Sequence, residues 1–390
     1  MKKIKYGNVI ALLFFIFFTM PILSPSIMGN TIYIHWFIPL LDLKFVKSVM
    51  NLQIKKAYFY SILVVTLVML LLGELITIIK LLFLIETVLY LFYCKKNNMF
   101  HYLYWSININ IIIGITQFIL YYISPTMAYM IGPTNIARII WGNNATKTFT
   151  NFYPIYKIVR VSGWSREAGF FASLIEITSI IYIIDKEQKK SIMQYVFFGI
   201  GYLISFSKSS LLLIVLLGIV LLEKKVSKIP YYITVILIIL SLIGVSNYLE
   251  QKGFYTKENE SIIHRISGYS IIEDLNFEEL LLGTKNMKNI NESALEKHNY
   301  LKYVYKYNEF CGIPNLIINH GLIVAFIFII ALRKVGFTTA EFLLLTIGTL
   351  TVNYFTATSF VVLIYYLCID MINKRRNCNK IESNKEIIIE

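Results

Sequence analysis

The sequence predicts an all-α polytopic membrane protein: one integral domain over residues 1–390, with about twelve transmembrane helices (ten at the fewest) and two large loops at 124–167 and 248–312. Three observations point there. Hydrophobic residues make up 57% of the chain and charged residues only 15%, whereas an ordinary soluble domain carries roughly 25% charged residues. So few charges do not cover a water-facing surface. The apolar residues also come in long blocks, many reaching the roughly 17 to 25 that span a bilayer, instead of the i, i+3, i+4 stripes of surface helices. Finally, the lysines and arginines gather in short clusters between those blocks.

The elements follow in chain order. Lys2, Lys3 and Lys5 precede an apolar run from Val9 and imitate a signal peptide. Because further spans follow and no small-residue cleavage site stands out, the run reads as an uncleaved first helix at 9–28. Apolar blocks place the next helices at 30–43, 57–72, 75–93, 101–123 and 168–184. The second half adds 191–205, 210–222, 229–247, 313–332, 336–352 and 355–371. With the N-terminus inside, these spans put both termini in the cytoplasm. They also put the clusters around Lys44, Lys95, Lys189, Lys224, Arg333 and Arg375 there, as the positive-inside rule requires. A net charge of +14 is thereby accounted for without nucleic acid, because the cations sit at span ends and form no phosphate-binding stripe.

The two long intervals fall outside. The first, 124–167, is rich in aromatic and polar residues, among them Trp141, Asn143, Asn144 and Trp164. The second, 248–312, reads as a small helical subdomain, with acidic residues and lysines at helical spacing and turn signals at Gly283 and Asn291. Of Cys94, Cys311, Cys368 and Cys378, only Cys311 falls outside, so no outer disulfide within the chain is expected, and the spacing matches no metal site.

Candidate chemistry concentrates in the same two loops. Arg160, Gly163, Trp164, Arg166 and Glu167 crowd the outer mouth of the sixth helix. Guanidinium forks suit phosphate or carboxylate, and Glu167 suits a sugar hydroxyl or Arg166 itself. The alternative is an interfacial anchor whose charges snorkel into headgroups. His264 and Arg265 open the second loop, followed by His298, Asn315 and His320. Three of the five histidines thus fall on one loop and the helix mouth after it, and histidine is the usual general base near neutral pH. Lys208 lies in a Ser-rich turn between the seventh and eighth helices and adds a cation, or the turn merely satisfies helix ends. Glu86, Glu176 and Glu341 lie within or near spans, where ionisable groups face a bundle interior or a cavity. No phosphate loop, nucleophile elbow, HExxH or metal-holding acidic pair occurs, so no cofactor is expected and any substrate comes from the membrane itself.

This architecture resembles the Wzy-type O-antigen and capsular polysaccharide polymerases, whose superfamily also holds the O-antigen ligases. Arg160 to Ala172 is similar to the family's outer-loop pattern of Arg, Gly, then Glu opening a helix, with Ala168 standing where proline is common. Ser205 to Ser210 is similar to its Ser/Gly-rich turn, and Asn315 to Phe328 to its asparagine-bearing start of an apolar Gly-Leu-Ile helix. The resemblance implies a glycosyltransferase C-like fold in a bacterial cytoplasmic membrane and metal-free glycosyl transfer on the outer face. A chain on undecaprenyl diphosphate would be the donor and a sugar hydroxyl of a lipid-linked repeat unit the acceptor. Arg160 and Arg265 would hold the diphosphate, with Gly163, Trp164, Arg166, Lys208 and Asn315 completing the substrate site. Glu167, His264, His298 or His320 would take the proton. Membrane lipids, a flippase and a chain-length regulator are the implied partners. A ligase and a flippase for the same lipid-linked units stay open as alternatives, although the polar residues concentrate in two unequal loops and form no repeated halves.

Overall fold

The computed structural model describes residues 6–27, 30–51, 75–148, 152–155, 158–185, 188–207, 210–256, 265–284, 310–350 and 354–386, with residues 63, 64, 66, 67, 70, 259, 263, 297, 298 and 352 between them. Most of the expected span 57–72 therefore lies outside the described residues, as do Lys208, His264 and much of 285–309.

Ten helices of ten residues or more stand among the described residues: α1 (Tyr6–Thr19), α2 (Leu75–Lys96), α3 (His101–Ile123), α4 (Ala168–Ile184), α5 (Ile192–Ser205), α6 (Ser210–Leu221), α7 (Tyr231–Gln251), α8 (Gly312–Val335), α9 (Thr339–Gly348) and α10 (Ser359–Glu386). Of these, α2, α3, α7 and α8 are long and apolar enough to cross a membrane. Along α7, large side chains such as Ile233, Ile236, Leu237 and Leu240 are all exposed. A helix apolar around its circumference with its side chains outward belongs in lipid, and the chain is a largely helical, membrane-embedded protein.

The apolar blocks from residue 75 onward match helix limits to within a few residues, apart from the C-terminal helix, which runs on through the polar tail. The expected span 30–43 does not form. Its residues fall into a 3-10 turn (Ile34–Trp36) and two short helices, Ile38–Leu41 and Leu43–Met50. Asp42 separates the two helices, its Oδ1 accepting from the amides of Lys44 (3.1 Å) and Phe45 (3.3 Å). A carboxylate capping a helix start ends the preceding helix. The first helix also stops early, at Thr19, with Pro21 opening a 3-10 turn. Two small antiparallel hairpins, Ser26–Ile27 with Asn30–Thr31 and Tyr153–Ile155 with Ile158–Arg160, add the strands found among the described residues.

The chain packs as two compact units, one of residues 1–52, 83–217 and 358–367, the other of 53–82, 218–357 and 368–390. The first is centred on aromatic rings: Phe14, Phe18, Tyr33 and Trp36 surround the fully buried His35 ring, with centroids 5.1 to 6.3 Å away. Helices α1 and α5 pack on α3, and α4 on α5.

In the second unit the expected helical subdomain is present in part. Tyr255, Ile263, Ile271, Leu275, Phe310 and Ile318 form its core, and a reciprocal capping box between Asn276 and Glu279 opens the helix Phe277–Leu282. That helix packs on a break in α8. Gly321 has φ 81 and ψ 164 inside α8, and the freed Ile318 carbonyl accepts from Thr284 N (2.7 Å) and Oγ1 (3.0 Å). The backbone group released by the break is thereby satisfied.

Glu341, singled out as a charge near a span, is structural. It is fully buried and closes a capping box with Thr338. Arg375 Nη1 donates to Glu341 Oε1 (2.7 Å) and Glu223 Oε1 (3.1 Å), and its Nη2 to the Gly336 carbonyl (3.0 Å). Burial, then the neighbouring Glu341 carboxylate, raise the Glu223 carboxyl above its usual range, with Arg375 pulling against them.

Candidate functional site

In the first unit the stretch from Arg160 to Glu167 reaches α4 through a turn whose shape rests on one glycine. Gly163 has φ +55, the left-handed region that favours glycine, and a Cβ there would lie 2.3 Å from Asn110 Oδ1. Asn110, fully buried on α3, fills that space. Its Oδ1 accepts from the Trp164 amide at 2.7 Å, and its Nδ2 donates to the Thr19 carbonyl (3.0 Å) and Ser165 Oγ (3.4 Å). Gln117, seven residues along the same helix and so on the same face, donates from Nε2 to the carbonyls of Gly163 (2.9 Å) and Ile131 (3.2 Å). The Trp164 indole donates to Ile131 as well, at 3.3 Å. Two amides on one apolar helix thus fix the backbone of the turn.

The charged side chains project from that frame. Arg160 donates from Nε to the Ser205 carbonyl at 3.4 Å, at the C-terminal end of α5, where the helix dipole favours a cation. Arg166 donates from Nε to the Lys147 carbonyl (3.2 Å), its guanidinium carbon 5.6 Å from the Phe170 ring centroid. Glu167 takes the N-cap position of α4, where the dipole favours an anion. A Cβ at Gly169 would sit 3.3 Å from Glu167 Oε1 and 4.0 Å from Ser207 Oγ, so this carboxylate and this hydroxyl flank the same glycine. Arg160, Trp164, Arg166 and Glu167 therefore share one short, ordered turn. Gly163, expected to meet substrate, is instead buried beneath it against Asn110.

The second unit holds the remaining described candidates. Arg265 is half-buried beside the subdomain core. Asn315, in the first turn of α8, is buried, and its Nδ2 has no hydrogen-bond partner among the described residues. His320 stands next to the break at Gly321, its ring 5.6 Å from that of Phe355.

His298, expected as a base, lies between two carboxylates. It is buried, with Nδ1 2.6 Å from Glu250 Oε1 and Nε2 2.5 Å from Asp274 Oδ2. The ring ties the last turn of α7 to the segment before Phe277. Burial pushes the Asp274 carboxyl up, but hydrogen bonds from Lys297 and His298 outweigh it and hold Asp274 below its ordinary value. Glu167 and His320 are the other expected proton acceptors among the described residues.

Asn110 and Gln117 were not among the candidate residues. The signal was present: two amides seven residues apart in a long, largely apolar helix lie on one face. Fold and site together define a helical membrane protein with a rigid, charged turn at the mouth of one apolar helix. No protein-family profile, curated protein or solved structure matches this chain.

Proposed function

We propose that this chain is a polysaccharide polymerase of the bacterial cytoplasmic membrane, joining oligosaccharide repeat units carried on undecaprenyl diphosphate at the outer face. The observation that carries the reading is the turn from Arg160 to Glu167. Two guanidiniums and a carboxylate stand within eight residues, on a backbone held by Asn110 and Gln117. Transfer from a lipid diphosphate needs that pairing: fixed cations stabilise the charge on the departing diphosphate, and a carboxylate orients or deprotonates the attacking hydroxyl. With the Lys95–Lys96 and Lys189–Lys190 clusters that flank α3 and α4 taken as cytoplasmic, this turn, at the opposite ends of those two helices, lies at the outer surface. The resemblance of the Arg160–Ala172, Ser205–Ser210 and Asn315–Phe328 stretches to the polymerases supports the same reading.

Deletion of the gene followed by electrophoresis of surface polysaccharide tests it. The expected result is acceptor capped with a single repeat and no ladder of longer chains. A ligase would leave polymer on the lipid carrier and the acceptor bare, and a flippase would leave units on the inner leaflet. A full-length ladder in a strain encoding no second polymerase removes the proposal.

The topology has its own test. In a cysteine-free background, single cysteines at Asn144 and Asn289 are expected to react with an impermeant thiol reagent applied from outside, and one at Gln188 to stay unlabelled. The reverse pattern would turn the protein over and place the charged turn in the cytoplasm.

A further inference from the structure

The charged turn is not the only polar feature of the first unit. An open cleft of about 620 Å³ lies between the helix Pro133–Trp141 and the segment that follows it, lined by Thr134, Arg138, Asn143, Thr146, Lys147 and Thr148, with Gly142 and Ala145. Its lining residues are all neutral or cationic. Its walls are tied together: the hydroxyls of Thr134 and Thr148 lie 2.5 Å apart, Thr146 donates to the Ser24 carbonyl, and Ala145 bridges Pro25. The Lys147 carbonyl is held by Arg166 Nε at 3.2 Å. A concavity built this way exists before its ligand arrives, and its volume falls in the roughly 300–1,000 Å³ range of small-molecule sites.

Charge selects the ligand. Residues 124–167 carry five basic side chains (Arg138, Lys147, Lys157, Arg160 and Arg166) against the single carboxylate of Glu167. The other long loop, 248–312, carries eight basic and ten acidic residues. Outer segments are ordinarily poor in lysine and arginine, so a basic excess confined to one of them is a feature that membrane topology alone does not account for. Hydroxyls and an amide beside two cations match a sugar bearing an anionic group.

We propose that this cleft is a subsite for an acidic sugar, with Arg138 and Lys147 reading its carboxylate or phosphate and the Asn143 amide and threonine hydroxyls reading its hydroxyls. The choice of a sugar rests on the polymerase reading, and the ligand would then be the acidic residue of a repeat unit.

Calorimetric titration of the full chain in phosphatidylcholine nanodiscs tests this. The probes are a disaccharide ending in glucuronic acid, the same disaccharide ending in glucose, and inorganic phosphate. The acidic disaccharide is expected to bind at least about tenfold tighter than the neutral one, and to weaken with salt. Arg138→Gln combined with Lys147→Gln is expected to lose at least about tenfold in affinity. Arg138→Lys with Lys147→Arg keeps both charges and restores binding, which separates lost recognition from a misfolded variant. Equal binding of the two disaccharides, or unchanged binding by the double glutamine variant, overturns the proposal. Binding of phosphate without the acidic sugar, or displacement of that sugar by phosphatidylglycerol vesicles, assigns the cleft to free phosphate or a lipid headgroup and overturns it too. These measurements do not depend on the polysaccharide ladder, so the subsite and the polymerase reading fail separately.

Discussion

Alanine at Gly163 is expected to destabilise the first unit by ~3 kcal/mol or more and to abolish function with it. Two contributions add. The left-handed backbone at φ +55 costs an L-residue about 1–2 kcal/mol. The new methyl would also stand 2.3 Å from the Asn110 carbonyl oxygen, displacing a buried amide that satisfies Thr19, Trp164 and Ser165. Each buried polar group left unsatisfied costs about 1–3 kcal/mol. Gly142 supplies the comparison: it also has a positive φ, +55 with ψ −123, but a Cβ there meets nothing within 4 Å. Gly142→Ala is therefore expected to show a conformational cost alone, about 1–3 kcal/mol. Thermal unfolding of both variants in detergent reads the difference. Equal losses would mean that the turn is not packed on Asn110, and the rigid frame of the proposed site would go with it.

The second large effect is expected at Arg375. Its guanidinium holds the Glu341 carboxylate at 2.7 Å, and Glu341 is fully buried. Arg375→Ala leaves that charge without its cation and is expected to cost about 3–5 kcal/mol, the range for breaking one side of a buried pair. Lysine should recover only part of the loss, because one ammonium does not reach Glu341, Glu223 and the Gly336 carbonyl together as the guanidinium does. Arg375→Ala with Glu341→Gln removes the uncompensated charge and is expected to be more stable than Arg375→Ala alone. A double variant no better than the single one would show that Glu341 does not depend on Arg375 for its place in the fold.

Several of these features are visible in the sequence once one knows where to look, and the ones that are share a cause. The helix His101–Ile123 coincides with its apolar run, 101–123, because the length and apolarity of a segment decide by themselves whether lipid accepts it. The capping boxes at Asn276–Glu279 and Thr338–Glu341 are legible for a similar reason, since both partners lie three residues apart. Where local signals conflict, the apolar run misleads. Residues 30–43 are apolar enough for a span, yet Pro39 and Asp42 divide them, because a capping carboxylate and a missing amide outweigh apolarity over so short a stretch. Gly321 shows the opposite failure. A glycine in an apolar run is compatible with a continuous helix, and only the approach of Leu281, whose carbonyl oxygen would lie 2.1 Å from a Cβ there, explains the break.

Membrane residence and the limits of helices such as His101–Ile123 were therefore determined by the sequence alone, since both follow from sums over neighbouring residues. The partners of the polar groups were decided by tertiary structure. Asn110 meets Gly163 across 53 positions, and His298 meets Glu250 across 48. In the first case the glycine makes room for a buried amide that fixes the turn, and in the second the imidazole bridges two carboxylates. The physical reason is that a buried polar atom needs a partner, and which atom supplies it depends on how the helices pack, which no local pattern in the chain records.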